Sequence, residues 1–362
     1  MRQLVISSPG VVELRDAETP EPGPGEVQVL TTVVGICGSD LHALAGTHPF
    51  ITLPCVPGHE VAGVVGETGP GVTGLKAGMR VILEPNLTCG QCPYCRSGRY
   101  NICERLRVVG CQAPGAMADA FTAPASRFHV IPDRLSDAQA ALVEPLSTAV
   151  HAVRMAGPLA GAAVAVLGGG TIGLLTLTAA VRAGARAVAV SEPRGSKRQR
   201  ALRLGAAFCT DPLAADPVPA IRDALGGQAD VTFDCVSSQA STAQAIRLAE
   251  NGGTVMVVGV AATDVTIPLP IIHDREIRLA GSAMYVREDV LRAVDLMAGA
   301  AVPAGELVTA TLPLADGAQA FKRAASGEDV KVHLMTAAAG TPGCTPMTGR
   351  QDLKAGTEYP GS

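Results

Sequence analysis

From about residue 160 to residue 300 the chain alternates short, uncharged apolar runs with longer stretches of helical period. Ala162 to Leu167 contains no polar side chain, the pattern of a strand buried on both faces of a parallel sheet. Gly168-Gly169-Gly170-Thr171-Ile172-Gly173 follows and opens an apolar helix predicted to run to Arg182, with Gly184 as its C-terminal cap. Further strands are predicted at Arg186 to Val190, Ala229 to Phe233, Thr254 to Val258 and Ile277 to Ala280, and helices at Ala240 to Ala249 and Arg287 to Met297. This order predicts an α/β fold with a parallel, doubly wound sheet. The uncharged stretch Met155 to Val181, flanked by Arg154 and Arg182, is long enough to span a bilayer. Pro158, Gly161 and the glycine run break it, so a strand, turn and helix are expected there and no membrane partner.

The glycine run has the G-x-G-x-x-G form, at Gly168, Gly170 and Gly173, in the strand–turn–helix context that seats a pyrophosphate on a helix N-terminus. Glu192 ends the second strand 19 residues beyond Gly173, where an acid accepts hydrogen bonds from the adenosine ribose hydroxyls. Gly259 ends a later strand on the same edge of the sheet and joins the expected cofactor-binding set. A carboxylate at position 192 repels a 2′-phosphate and favours NAD. Arg194, Lys197 and Arg198 follow closely and keep NADP as the weaker alternative.

The chain has 362 residues, 47% hydrophobic and 17% charged, enough apolar mass for two ordered domains. Twenty-nine basic against thirty-three acidic residues leave a net charge of −4 with no basic stripe, and the ten aromatics include no Trp. Nucleic acid is therefore not an expected partner. Met1 to Ile6 is followed at once by Ser7-Ser8-Pro9-Gly10, too short an apolar run for an export signal, and a cytoplasmic protein is expected.

Ten cysteines then change the picture, because four are grouped: Cys89-x2-Cys92-x2-Cys95-x7-Cys103. Two-residue gaps let a turning backbone present its sulfurs to one centre, and four thiolates close the shell of a tetrahedral zinc. With no export signal read, a structural metal is favoured over disulfides. A second set is scattered: Cys37, His42, His59-Glu60 and Glu144. Thiolate, imidazole and carboxylate form an open, catalytic zinc site if the fold brings them together, whereas singly each has an ordinary structural reading.

With these motifs the chain resembles the zinc-containing medium-chain dehydrogenase/reductase family, over roughly residues 1–336. Within it the polyol branch of sorbitol, threonine and 2,3-butanediol dehydrogenases is nearest. That branch is carried by Cys37-Gly38-Ser39-Asp40-Leu41-His42, Gly58-His59-Glu60, the four-cysteine lobe, Glu144-Pro145-Leu146, Ser191-Glu192-Pro193 and the string Gly281 to Asp289.

The resemblance implies a GroES-like β-rich catalytic domain at 1–150, a Rossmann NAD-binding domain at 151–285, a return segment at 286–336 and an unstructured tail at 337–362. It implies two zinc ions per chain: a structural one on the four cysteines, and a catalytic one on Cys37 and His59 with Glu60 and Glu144 as direct or exchangeable ligands. Asp40 would support the imidazole of His59. Ser39 would take the alcohol proton and pass it towards His42 and solvent. Ile172, Glu192 and Lys197 fall at nucleotide-contacting positions, and His48 to Phe50 in a loop lining the substrate pocket. A homodimer or homotetramer is implied, with the strand near Gly281 as a pairing edge.

The expected activity is oxidation of a secondary alcohol, a vicinal diol or polyol, with NAD. A biosynthetic dehydrogenase of a cyclitol, aminocyclitol or sugar is the alternative substrate reading. A nucleotide-binding redox sensor without turnover is the alternative from another class, and it has no use for Cys37, Ser39, His42, His59 and Glu60 together.

Overall fold

The computed structural model describes residues 1–340. Its six-stranded sheet is wholly parallel, in the order Phe208–Thr210, Ala187–Ser191, Ala163–Leu167, Ala229–Asp234, Ala249–Val257, Arg278–Gly281. In sequence rank this is 3-2-1-4-5-6, with the topological switch between Ala163–Leu167 and Ala229–Asp234. Every residue of Ala163–Leu167 is buried, as its apolar run requires at the centre of a sheet covered on both faces. Phe208–Thr210 is a strand the periodicity does not announce. Three half-buried residues at a sheet edge are too few to show an alternation. The helix Pro217–Leu225 beyond it is built from local signals: Asp216 caps it by accepting from the Val218 N–H (3.3 Å), and Gly226 ends it in the left-handed conformation.

A second, seven-stranded sheet runs Val308–Pro313, Lys331–Met335, Glu26–Gly35, Glu60–Thr68, Arg80–Leu83, Phe128–Val130, with Ala120–Pro124 also paired to Glu26–Gly35. Lys331–Met335 lies antiparallel to Glu26–Gly35, with Leu334 opposite Val34. The C-terminal strands and the helix Gly317–Ser326 between them thereby share one core with Leu4, Ile6, Val29, Val34 and Val61, through Leu312, Phe321, Val332 and Leu334. The helix Val143–Ala156 packs between the two sheets, and its buried face joins Ala62 and Ile82 on one side to Val164 and Val166 on the other.

Ala337–Gly340 forms a short 3-10 turn, which corrects the expectation of an unstructured tail from 337 onward. The turn follows Thr336, whose hydroxyl donates to the Thr31 carbonyl and so ties the end of the sheet down. The remainder of that expectation, residues 341–362 with Cys344, lies outside the described residues. Among the described residues no helix is long and apolar enough to cross a membrane.

Candidate active site

Cys89, Cys92, Cys95 and Cys103 bring their sulfurs within 4.8 Å of one another. Backbone N–H groups point at three of these sulfurs: Cys92 N–H at Cys89 Sγ (3.4 Å), Cys95 N–H at Cys92 Sγ (3.4 Å), and Cys89 and Arg105 N–H at Cys103 Sγ (3.3 and 3.4 Å). Such donors stabilise thiolates. The amides of Gln91 and Cys92 lower the Cys89 thiol to about 6. All four cysteines are free, so the lobe offers a tetrahedral cation a complete set of soft donors.

The scattered set converges too. Cys37, at the N-cap of the helix Gly38–Leu44, meets His59 and Glu60 with their ligand atoms within 4.8 Å of one another. Gly35, paired with Glu60 across the sheet, makes this possible: a Cβ there would stand 2.1 Å from Glu60 Oε2. His59 is buried and its Nδ1 has no hydrogen-bond partner. Burial opposes positive charge on its imidazole. Cys37, Cys111 and Asp40 outweigh that and hold the pKa well above the usual histidine range. The pocket therefore favours a positive charge at this point, and its thiolate, imidazole and carboxylate suit zinc.

Asp40 is fully buried, but its hydrogen bond is to the Cys37 N–H (2.8 Å). Its Oδ1 has no partner, so a direct bond to His59 is not formed, although the two charges interact. Ser39 Oγ is likewise buried and unpartnered, and His42, one helical turn further on, is exposed.

Glu144 lies outside the group of three, in the first turn of Val143–Ala156. Tyr285 Oη donates to its Oε1 at 2.6 Å, and burial pushes the Glu144 carboxyl up to about 7.

Two functional partners escaped the sequence reading. Lys331 donates to both oxygens of Glu60 (2.6 and 2.7 Å) and to the Ile36 carbonyl (2.9 Å) in full burial. A lysine set between Val330 and Val332 was the available signal, since a buried ammonium demands an acid. Tyr285 carried no comparable sign.

Two further residues bear on these groups. Cys111 is half-buried, and its sulfur acts on His59. Its loop sits there because Gly110 lies against the Gly58 backbone, where a Cβ would come within 2.6 Å of the carbonyl oxygen. His151 is a buried partner of Asp289 at 2.7 Å. Phe50 and Cys111 both border one open depression of about 650 Å³, with Cys55 and Gln112.

In the nucleotide crevice, Gly168 has φ +98°, and a Cβ at Gly173 would collide with the Gly168 carbonyl at 1.8 Å. The motif's first and third glycines are thus sterically required. Glu192 is buried, accepting from the Gly169 N–H (2.7 Å) and the Arg194 N–H (2.9 Å). The Arg194 side chain pairs with Glu328, and that of Arg198 with Asp211 and the backbone of Glu192 and Pro193. Lys197 is buried and its pKa is pushed down by that burial. Gly259 lies against the loop after Ala229–Asp234, where a Cβ would meet Ser237 Oγ at 2.9 Å.

A doubly wound sheet with this glycine turn, beside a closed four-thiolate site and an open mixed-donor site, defines a zinc-type dehydrogenase. The comparisons with known proteins agree. The alcohol dehydrogenase GroES-like domain matches residues 23–133 and the zinc-binding dehydrogenase family residues 171–299. L-galactonate-5-dehydrogenase of Escherichia coli (strain K12) is 33% identical, over 89% of this chain and 95% of that one. Sorbitol dehydrogenase of Gallus gallus is 34% identical, over 91% and 95%. A proposed zinc-binding dehydrogenase from Sinorhizobium meliloti 1021, solved bound to NADP, superposes with a TM-score of 0.87 at 36% identity, covering 92% of this chain and 98% of that one. The chain belongs to the zinc-containing medium-chain dehydrogenase/reductase family, in its polyol branch. It is a zinc-dependent oxidoreductase of small secondary alcohols that works with a nicotinamide dinucleotide.

Proposed function

We propose that this enzyme oxidises a vicinal diol or polyol with NAD, at the pocket formed by Cys37, Ser39, His42, His59, Glu60 and Glu144. The observation that carries the reading is the convergence of the Cys37, His59 and Glu60 donors beside the unpartnered Ser39 hydroxyl. Cys37, His59 and Glu60 would hold the catalytic zinc, and the four-cysteine lobe a second, structural one. When bound, zinc polarises the alcohol oxygen and lowers its pKa, and NAD accepts the carbinol hydride.

The chain's own residues do the rest. Ser39 Oγ takes the hydroxyl proton and relays it towards His42, whose ring reaches solvent. Lys331 neutralises Glu60 and keeps its carboxylate at the site. Glu144 Oε2 accepts from a second substrate hydroxyl while Oε1 stays with Tyr285. The N-terminus of Thr171–Arg182 receives the pyrophosphate, near Gly168, Gly170, Ile172 and Gly173. Glu192 accepts from the ribose hydroxyls, with Lys197 and Gly259 bordering the crevice. NAD is favoured because Arg194 and Arg198 are already engaged with acids and carbonyls, leaving Glu192 to repel a 2′-phosphate.

The division into a catalytic domain (1–150 with return segment 286–336) and a nucleotide domain (151–285) follows the same reading. So does a cytoplasmic homodimer or homotetramer, for which Arg278–Gly281, an edge strand of the six-stranded sheet, is the pairing surface.

The test is dinucleotide reduction by zinc-loaded protein across 2,3-butanediol stereoisomers, sorbitol, xylitol, L-threonine, inositols and L-galactonate, with NAD and NADP in parallel. NAD-linked turnover of one polyol class is expected. Preference for NADP would overturn the cofactor assignment, and turnover confined to inositols would move the substrate to a cyclitol.

A further inference from the structure

The segment that carries Tyr285 is gripped from outside the catalytic pocket. Asn101, between the third and fourth cysteines of the lobe, donates to the Ala283 carbonyl (2.9 Å), and Asn86, just before the lobe, donates to the Tyr285 carbonyl (3.0 Å). The Tyr100 hydroxyl accepts from the Arg287 N–H. Between the two asparagine contacts, Met284 has φ +51°, a left-handed conformation that a non-glycine side chain holds only when its surroundings impose it. That turn aims a Tyr285 side chain of zero exposure at Glu144.

A second clamp works from the other side. Asp289 accepts from the Val286 N–H (3.0 Å), from His151 Nδ1 (2.7 Å) and from Arg154 Nε (2.7 Å). His151 and Arg154 lie on Val143–Ala156, the helix whose first turn bears Glu144. The donor Tyr285 and the acceptor Glu144 are thus each fixed to the same frame, and Asn101 touches both halves by also facing His151 Nε2 (3.4 Å).

We propose that Tyr285 is a positioning residue: its hydroxyl sets the Glu144 carboxylate in the substrate pocket, and Asn86 and Asn101 make that setting depend on the cysteine lobe. The proposal rests on Glu144 acting in the pocket as described above. It gives the lobe a task beyond its own folding, because loosening it frees Met284 and Tyr285.

The test combines kinetics with hydrogen exchange. Tyr285→Phe keeps the ring and removes only the donor. It should lower kcat about ten- to a hundredfold, the weight of a bond to a charged group, with an unchanged KM for the dinucleotide. On a Glu144→Gln background the same change should have no further effect, since it acts through that carboxylate. Asn101→Ala, with the lobe still metal-loaded, should raise amide exchange in residues 283–289 and at the start of the Glu144 helix. Additive effects of the two substitutions, or wild-type kcat in Tyr285→Phe, would overturn the proposal. If the unaltered enzyme reduces no dinucleotide with any alcohol, the functional reading falls. Exchange then decides alone: unchanged protection near Glu144 in both Tyr285→Phe and Asn101→Ala refutes the positioning role, and lost protection in both supports it.

Discussion

The two metal constellations solve one coordination problem by opposite routes. The cysteine lobe draws all its donors from residues 89–103 and braces them with its own amides. The mixed-donor set draws on the ends of strands and helices, with Cys37 and His59-Glu60 from the N-terminal half and the partner of Glu60 lying 271 residues downstream. A local site is set by turn geometry and is nearly independent of the fold. A distributed site exists only when distant strands of the seven-stranded sheet have paired, and Glu60 depends on Lys331 and Gly35, which are not ligands.

The largest effect that separates the two should come from single thiols. Cys37→Ala is expected to reduce turnover on the order of a thousandfold or more while leaving dinucleotide binding intact, because on the proposed reading the catalytic zinc loses a ligand and the crevice does not. Cys95→Ala should instead lose one equivalent of zinc and show its effect in the unfolding midpoint, since metal binding there is folding free energy. Metal analysis, titration calorimetry with NAD and thermal unfolding measure all three quantities. Loss of NAD binding in Cys37→Ala would erase the contrast.

Next in size is the support of the distributed site. Lys331→Met leaves the Glu60 carboxylate buried without its cation and should destabilise the fold by about 3–5 kcal/mol in denaturant unfolding. Lys331→Met combined with Glu60→Gln should recover part of that loss. An effect no larger than that of an exposed ion pair would mean that water reaches Glu60.

The smallest effect lies where the two regions meet. Burial alone would raise the Asp289 carboxyl, but bonds from His151, Arg154 and the Val286 amide hold it at about 2. A carboxyl depressed in the folded state stabilises above its unfolded pKa of about 4 and loses that contribution as pH falls towards 2. Asp289 has no exposed surface, and the contribution is about 2 kcal/mol. Wild-type stability should therefore fall across that interval more steeply than that of Asp289→Asn, followed by denaturant unfolding at fixed pH values.

What could be read in advance follows the same division. The lobe, the glycine turn and Glu192 are short-range patterns whose spacing is itself the geometry, so they are legible without a fold. Cys37, His59 and Glu60 are legible as residue types. Their meeting depends on a strand register that sets the Glu60 side chain against a residue without one, Gly35, and spacing does not reveal that register. Lys331, Tyr285 and His151 were out of reach for one reason: each is defined by a partner more than a hundred residues away. Phe208–Thr210 was missed for the opposite reason, being too short to carry any period.

The long-range pair of Lys331 and Glu60 also sets a timetable for the chain as it is made. At ribosomal speeds of about 5–20 residues per second, the 271 residues between them take roughly 14–54 s to appear. Throughout that interval Glu60 is without its cation and the sheet without its strand Lys331–Met335, whereas all four donors of the cysteine lobe are made by residue 103. On the proposed metal assignments, the thiolate cluster is therefore complete long before the mixed-donor pocket has its supporting cation.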